Sequence, residues 1–339
     1  MNKITVIVCT LLAAGFANAQ VLKIATVTPE GSQWMQEMRA SADEIKTRTD
    51  GRVQIKYYGG GSQGNDTMVL RRISIGALQG GAFTPSALAD KYIDLSLYGM
   101  PLVFDSEQEV EYVRTRMDER LVEGFAERGF VSFGFAATGF AVIMSNEPVR
   151  SLDDMRGKRV WVPEGDDLSK AAMEALSLSP VTLPLTDVYT GLQTGLIDIV
   201  AMSPIGALIL QLHTKLKYIT DVPLVYTMGF MAIEKKAFNK LKPNDQAIVR
   251  QVMTDLYAKY DKINMIDDRE AKVALLNAGL KLIVPEEGEL DRIRVALRRA
   301  NDELARKGAV SPTLYQEMQA HVEAFRSQNP QEQVSAAGD

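Results

Sequence analysis

Residues 244–278 read NDQAIVRQVMTDLYAKYDKINMIDDREAKVALLNA, with neither glycine nor proline. Their apolar positions, among them Ile248, Val252 and Leu256, keep the spacing of an α-helix. At 1.5 Å per residue, one continuous helix here would be about 50 Å long, which exceeds the width of one small domain. The stretch therefore predicts a helix that lies across two domains. Two helices broken near Asp267-Asp268 are the alternative.

Shorter segments on the N-terminal side of this stretch alternate between strand and helix patterns. Residues 22–27 and 53–58 are rich in β-branched and aromatic residues, and Ser32 is placed to cap a helix between them. The same rhythm continues from Val131 to Met202. Strands separated by helices of about ten residues favour parallel βαβ units. The chain is therefore predicted to be an α/β protein.

The first nineteen residues have the pattern of a secretory signal peptide. Lys3 supplies the positive end, Ile4–Ala14 is apolar, and Ala17-Asn18-Ala19 has the small-residue form of a cleavage site. The apolar run is shorter than the roughly 20 residues that a membrane-spanning helix needs. We predict that residues 1–19 are removed and that the mature protein lies outside the cytoplasm.

Composition narrows the class of protein further. The only cysteine, Cys9, falls inside the predicted signal peptide, so disulfides and cysteine chemistry are not expected. The net charge of −5 includes no basic block of the kind that binds nucleic acid. A mature chain of about 320 residues exceeds one ordinary hydrophobic core, which favours two domains. No segment after the signal peptide is long and apolar enough to cross a membrane.

Motifs for catalysis or for metal binding are not found in the sequence. His213 and His321 lie far apart, and neither has a second ligand type at metal spacing. Nucleophile-elbow and phosphate-loop motifs are also missing. We therefore predict no catalytic residues, no metal and no cofactor. A protein that closes on a small molecule between two domains fits these features, and a periplasmic enzyme on the same fold stays open as an alternative.

Several segments, in order, resemble a known family. The sequence resembles the DctP-type periplasmic solute-binding proteins of tripartite ATP-independent periplasmic (TRAP) transporters, from Val21 to about Arg326. The segments that carry the resemblance are Gly64–Ala77, Met100–Phe104, Ser151–Val160 and, most specifically, Asp187–Asp198 with the sequence DVYTGLQTGLID.

This resemblance implies two lobes joined by hinge strands and bridged by the long helix. Lobe I would comprise residues 20–137 plus 222–258, lobe II residues 138–221 plus 259–328, and residues 329–339 would form a disordered tail. The protein would be a periplasmic receptor and not an enzyme. Its partners would be a small organic solute and the small and large permease subunits, with a periplasmic accessory protein as an optional addition and no nucleic acid. A sensor or scaffold role is a further alternative.

One departure from the family pattern concerns the solute. Family members that carry acids have an arginine in the motif I-R-V-P, but here Trp161 occupies that slot within Val160–Pro163. Counting back eight residues from Pro148 places Phe140 at a second basic position of the family. A buried carboxylate without a cationic partner is costly, whereas aromatic rings favour apolar contact. We predict a solute with a large apolar or aromatic part. A carboxylate receptor that uses a different cation is the alternative.

Further ligand contacts are predicted from the family motifs and from their positions near strand ends. Six predicted contacts have a structural alternative: a helix cap for Asp66, a surface carboxylate for Glu164, and a core position for Tyr189, Phe230, Trp161 and Phe140. The predicted contacts besides Trp161 and Phe140 are Asp66, Glu164, Tyr189, Met202, Ser203, Trp34, Gln33 and Phe230.

Overall fold

A computed structural model of the chain describes residues 19–329, except for the side chains of residues 265–267. The predicted signal peptide lies outside the described residues apart from Ala19, and the predicted tail does so apart from Asn329. Within residues 19–329, no helix has the length and apolar character needed to cross a membrane.

Strands and helices alternate along most of the described chain. The strands are β1 (Gln20–Ala25), β2 (Val53–Tyr58), β3 (Gly80–Phe83), β4 (Phe130–Val131), β5 (Ala136–Ser145), β6 (Arg159–Pro163), β7 (Ser179–Leu183), β8 (Ile199–Met202), β9 (Tyr218–Glu234) and β10 (Lys281–Ile283). The α-helices are α1 (Gln33–Arg48), α2 (Asp66–Ser74), α3 (Glu107–Glu127), α4 (Leu152–Met155), α5 (Asp167–Ala175), α6 (Val188–Thr194), α7 (Pro204–Ile209), α8 (Lys235–Phe238), α9 (Pro243–Asn277), α10 (Glu289–Arg306) and α11 (Pro312–Gln328). Short 3₁₀ helices cover Pro85–Leu88, Ile93–Gly99, Leu185–Asp187 and Leu212–Lys215.

One sheet runs through the molecule in the order β2-β1-β3-β9-β5-β8-β6-β7. Its outer pairs are parallel: β1 with β2 and β3 on one side, and β6 with β7 and β8 on the other. The two central strands, β5 and β9, are long and antiparallel to each other. The predicted βαβ units therefore form the outer parts of the sheet, and antiparallel strands join them.

The buried residues form a core on each side of these central strands. The first core packs β1–β3 against α1, α2 and α3. Two clusters on the other side pack β6–β8 against α5, α6, α7 and α10. We call the parts around these cores the first and second lobes. The predicted α/β fold with two lobes and hinge strands is confirmed.

The long helix α9 is continuous and touches both lobes, as its sequence predicts. Val249, Met253 and Tyr257 lie in the first core, whereas Leu275 lies in the second lobe. The alternative of a break near Asp267-Asp268 is wrong, because the helix runs unbroken from Pro243 to Asn277.

The last helix departs from the lobe assignment drawn from the resemblance. Residues 259–328 were expected in lobe II, but Leu314, Met318 and Val322 of α11 pack in the first core. Helix α11 lies against α3 of the first lobe, where Arg326 Nε donates a hydrogen bond to Glu109 Oε1 at 2.6 Å. The chain therefore crosses back to the first lobe after α10, a return that helical periodicity alone does not specify.

Candidate functional site

A cavity of about 280 Å³ lies between the two lobes. Its floor is formed by the hinge strands, with Ala136 and Thr138 from β5 and Tyr226, Met228 and Phe230 from β9. The first lobe contributes the ends of β1 and β3 and the start of α1, and the second lobe contributes the ends of β6 and β8. Because the ends of parallel strands and a domain boundary meet here, this is the usual location for a small-molecule site in such folds.

Six of the predicted contacts line this cavity. They come from both lobes and from the hinge: Trp34, Asp66, Trp161, Met202, Ser203 and Phe230. Sequence reasoning alone predicted their positions from strand ends and motif slots, and the fold brings them around one space. No bound solute tests them, so their role in binding stays a prediction.

Trp161 forms part of the second-lobe wall, at the position that the sequence comparison with the family motif predicts to replace an arginine. The residue is 5% exposed, and its indole Nε1 donates a hydrogen bond to the Leu183 carbonyl oxygen at 3.0 Å. That bond fixes the ring between the parallel strands β6 and β7, because Trp161 and Val181 are paired in register. Trp161 therefore combines the two roles that the sequence left open: it packs in the second lobe and it faces the cavity.

Trp34 forms the opposing wall from the first turn of α1. Its indole Nε1 donates to Asn264 Oδ1 at 3.0 Å, and its ring lies 6.1 Å from that of Tyr260. Tyr260 in turn donates its hydroxyl to the Trp34 carbonyl oxygen at 2.6 Å. Ser32 caps α1 by accepting from the Met35 amide, so the helix starts where the sequence predicts and Trp34 sits one residue inside it.

Asp66 is the first residue of α2 and faces the cavity from the first lobe. The helix cap is its neighbour Asn65, whose side chain accepts from the Met68 amide, so the Asp66 carboxylate is not used for capping. Burial, and to a smaller extent the nearby charge of Glu164, raise the pKa of Asp66 to about 6. Asp66 is thus a carboxylate whose ionised form is disfavoured by its surroundings.

A second carboxylate, Asp166, reaches the cavity from the other lobe. Its side chain caps α5 by accepting from the Ser169 amide at 3.0 Å, and burial raises its pKa. Ser203 caps α7 in the same way, accepting from the Gly206 amide, and the following Pro204 begins that helix. Both acceptors are therefore held in place by local helix capping.

Four predicted contacts lie outside the cavity wall. Phe140 packs edge-on against Tyr226 at 5.3 Å, because the two residues are paired in register across β5 and β9 and Tyr226 is the one that reaches the cavity. Gln33 is exposed at the start of α1, one position away from the inward-facing Trp34. Both residues are neighbours of residues that line the cavity, but their own side chains lie outside the cavity wall.

Tyr189 and Glu164 are the other two predicted contacts that lie outside the wall of the main cavity. Lys215 Nζ lies 5.2 Å from the centre of the Tyr189 ring, and Tyr189 does not line the cavity. Glu164 is exposed at the mouth, where its Oε2 accepts a hydrogen bond from Asn65 Nδ2 of the other lobe at 3.1 Å. Glu164 also lines a small pocket that adjoins the main cavity and shares Trp161 and Asp66 with it.

Sequence reasoning missed a set of polar and aromatic residues on the hinge and the long helix. Tyr257, Tyr260 and Asn264 recur at helical spacing on α9 and reach the cavity, and Thr138 and Thr227 share a hydrogen bond of 2.8 Å between the hinge strands. The spacing on α9 is visible in the sequence. Which face of a helix meets the cavity is set by tertiary packing.

Positive charge is missing from the wall. Among the described residues that line the cavity there is no lysine, arginine or histidine. The buried Arg114 stands behind the hinge, where its guanidinium donates to Asp118 and to Asp261 and its charge is already balanced. Within residues 19–329, no group of three or more histidine, cysteine or acidic residues is arranged to hold a metal ion.

Comparison with known proteins places this architecture among transport receptors. Residues 24–307 match the profile of DctP, the family described as bacterial extracellular solute-binding protein, family 7. A solute-binding protein of Roseobacter denitrificans, RD1_1052, is 23% identical over 251 residues, which cover 73% of this chain and 76% of that protein.

Solved structures share the fold at lower identity. A TRAP periplasmic solute-binding protein of Haemophilus influenzae with bound L-gulonate superposes with a TM-score of 0.81 at 20% identity, covering 89% of this chain and 99% of that one. A TRAP periplasmic solute-binding protein of Shewanella oneidensis with bound succinate gives 0.82 at 18% identity, covering 90% and 99%. At this identity, the two structures support the fold and do not identify the solute.

Proposed function

Because this chain belongs to the DctP family of extracellular solute-binding proteins and is a receptor of the TRAP type, we propose that its solute has a large apolar or aromatic part. The receptor closes on this solute between its lobes and delivers it to the membrane permease. The observation that carries the proposal is Trp161, a buried indole in the arginine slot, in a wall whose described residues include no cation.

Energetics favour this class of solute over a simple dicarboxylate. Moving an ionised carboxylate into a protein interior without a partner costs several kcal/mol. Large aromatic side chains favour contact with apolar groups. Trp34, Phe83, Trp161 and Phe230 together surround the space with aromatic surface. A solute with an apolar face gains contact here that a small diacid would not.

A carboxylate receptor that works without the usual arginine is the second candidate. It is favoured by the hydroxyl groups around the cavity, including Thr28, Thr84 and Thr227, and by the acids bound to the two similar structures. Neutral hydroxyl donors bind a carboxylate less strongly than a guanidinium does. We therefore rank this candidate below the first.

A ligand screen separates the two candidates. Thermal-shift measurements on the mature protein would compare dicarboxylates, sugar acids, aromatic solutes and fatty acids. Trp34 and Trp161 are the only tryptophans and both line the cavity, so intrinsic fluorescence provides a second signal from the site itself. Stabilisation by an aromatic or apolar solute is the expected result. Stabilisation by small dicarboxylates alone would contradict the proposal.

The remaining proposals concern location, activity and partners. We infer a periplasmic protein cleaved after Ala19, which N-terminal sequencing of the protein from a periplasmic extract would test. It is proposed to bind its solute without turnover, so a bound candidate followed by mass spectrometry should stay chemically unchanged. A periplasmic accessory protein should be captured by this receptor in a pull-down in different amounts with and without solute.

A further inference from the structure

Building on the proposed function, we infer that the solute carries a positively charged nitrogen group, such as an ammonium or amidinium, which binds the Asp66 carboxylate beside the aromatic walls of the cavity. The inference concerns the polar end of a solute whose apolar part occupies the rest of the space. It follows from three properties of the site: an unpartnered acid, the distribution of charge, and the position of the rings.

The carboxylate of Asp66 has no partner among the residues that the structure describes. Among the described residues, no hydrogen bond or ion pair reaches its carboxylate, although the neighbouring Asn65 is bonded both to the Met68 amide and to Glu164. Asp66 lines the main cavity and two smaller pockets that adjoin it. Asp66 is half-buried, and a partly buried carboxylate without a donor is stabilised when a donor reaches it. A solute that brings a charged N–H or N–CH₃ group to this place supplies that stabilisation.

The charged side chains described in the wall of the cavity and at its mouth are all acidic. Asp66 approaches from the first lobe, Asp166 from the second, and Glu164 closes the mouth between them. Among the described lining residues none is basic. The buried Arg114 forms salt bridges with Asp118 and Asp261 behind the hinge, so its charge is not available to bind a solute anion. In this field a solute cation is attracted, whereas a solute carboxylate meets like charge.

Aromatic rings reinforce the same preference. The faces of indole and phenol rings attract cations, which is why ammonium groups are often bound in aromatic surroundings. Trp161 borders both the main cavity and the small pocket that contains Asp66 and Glu164. One solute can therefore place its cation at Asp66 and its apolar part along Trp161 and Trp34.

Matched probes test the inference directly. Three compounds share the indolyl-ethyl or indolyl-methyl body and differ in the polar end: tryptamine, tryptophol and indole-3-acetate. The phenyl series of phenethylamine, phenylethanol and phenylacetate repeats the comparison on a smaller body. Affinities are measured at pH 7.5 by calorimetry on the full mature chain. We expect the amine of at least one series to bind at least tenfold more tightly than the matching alcohol and carboxylate.

Variants then assign the effect to Asp66. D66N removes the charge and keeps the shape, and we expect it to weaken amine binding at least tenfold while leaving alcohol binding within twofold. D167N is the matched control, because Asp167 is the exposed residue that begins α5 and is not part of the cavity wall. It should leave amine binding unchanged.

The outcomes separate this inference from the proposed function. Tighter binding of a carboxylate or an alcohol than of the matching amine would overturn the cation inference and leave the apolar-solute receptor standing. Equal loss of amine binding in D66N and D167N would also overturn it. If no member of either series binds and the thermal-shift screen finds only dicarboxylates, the proposed solute class itself fails.

Discussion

Trp34 and Asn264 connect the cavity wall to the hinge. The Trp34 indole Nε1 donates to Asn264 Oδ1 at 3.0 Å, and Asn264 Nδ2 donates to the carbonyl oxygen of Ala137, in hinge strand β5, at 2.6 Å. Asp268 lies four residues further along α9, and Asp261 lies three residues before Asn264 and accepts a hydrogen bond from the Ala137 amide at 2.9 Å. The long helix thereby holds a wall residue and the hinge with one set of buried polar groups.

Loss of the Asn264 side chain should destabilise the protein. Asn264 is 1% exposed, so N264A leaves the Trp34 N–H and the Ala137 carbonyl without partners. An unsatisfied buried polar group costs about 1–3 kcal/mol. We expect the free energy of unfolding, measured by urea denaturation, to fall by about 2–4 kcal/mol. N277A, at an exposed position on the same helix, should change it little, and equal effects of the two substitutions would contradict this role.

Glycine at position 139 should be needed at the hinge. Its φ of +86° favours glycine, and a Cβ there would lie 2.5 Å from Asp268 Oδ2. We expect G139A to lower the free energy of unfolding by more than the roughly 1 kcal/mol typical of left-handed strain alone. G157A is the control, because Gly157 has a φ of +73° with open space around its Cβ position. A larger loss in G157A than in G139A would disprove the contact argument.

The hydrogen bond between Asn65 and Glu164 should slow opening of the cavity. It joins the two lobes across the mouth, with Nδ2 and Oε2 separated by 3.1 Å. A hydrogen bond to a charged group is worth about 1.5–3 kcal/mol, and less where solvent reaches it as here. We expect N65S, in which the serine hydroxyl still caps α2 but the Nδ2 donor is lost, to release the best solute from the screen about three- to tenfold faster in stopped-flow fluorescence.

The control for this experiment lies on the same lobe as Glu164. E174A removes an exposed carboxylate of α5 that does not line the cavity. Its release rate should match that of the unmodified protein. An unchanged rate in N65S would show that the bond across the mouth does not limit opening.

Stability should depend on pH through Asp66. Its pKa in the folded protein is about 6, raised from 3.8 chiefly by burial. The folded state therefore binds the proton more tightly than the unfolded state, and stability is lost as the pH rises from about 4 to about 6. Without solute, D66N should melt at a higher temperature than the unmodified protein at pH 7.5, and the difference should shrink toward pH 4.

D167N serves again as the reference in these melting curves. Asp167 is exposed, so its substitution should give the same small shift at every pH. A D66N advantage that is equal at pH 4 and pH 7.5 would show that ionisation of Asp66 is not the cause.

Contacts outside the cavity provide a last test. Tyr189 lies beside Lys215 and does not line the cavity, so Y189F should leave affinity within twofold. W161F, in contrast, removes the hydrogen bond to Leu183 and part of the aromatic wall, so it should weaken binding of an aromatic solute by at least fivefold. Calorimetry with the best solute of the screen measures both, and comparable losses in the two variants would contradict the assigned geometry.

The amino-acid sequence by itself determined the local elements and the family. Periodicity without glycine or proline specified α9 nearly to the residue, and the cap residue Ser32 specified where α1 begins. The prediction that Trp161 replaces an arginine also came from the sequence, because it depends only on the position of Trp161 within the segment Val160–Pro163. These features depend on interactions between residues that are close together in the chain, so the sequence alone is enough to predict them.

Only the tertiary structure decided which side chains share the cavity. Phe140 and Gln33 lie beside wall residues yet point elsewhere, whereas Tyr226 and Asn264 reach the wall through the pairing of β9 with β5 and the rotation of α9. The return of α11 to the first lobe has the same origin. Strand register and helix rotation are set by contacts between residues far apart in the chain, where many arrangements satisfy the same local pattern and packing selects one.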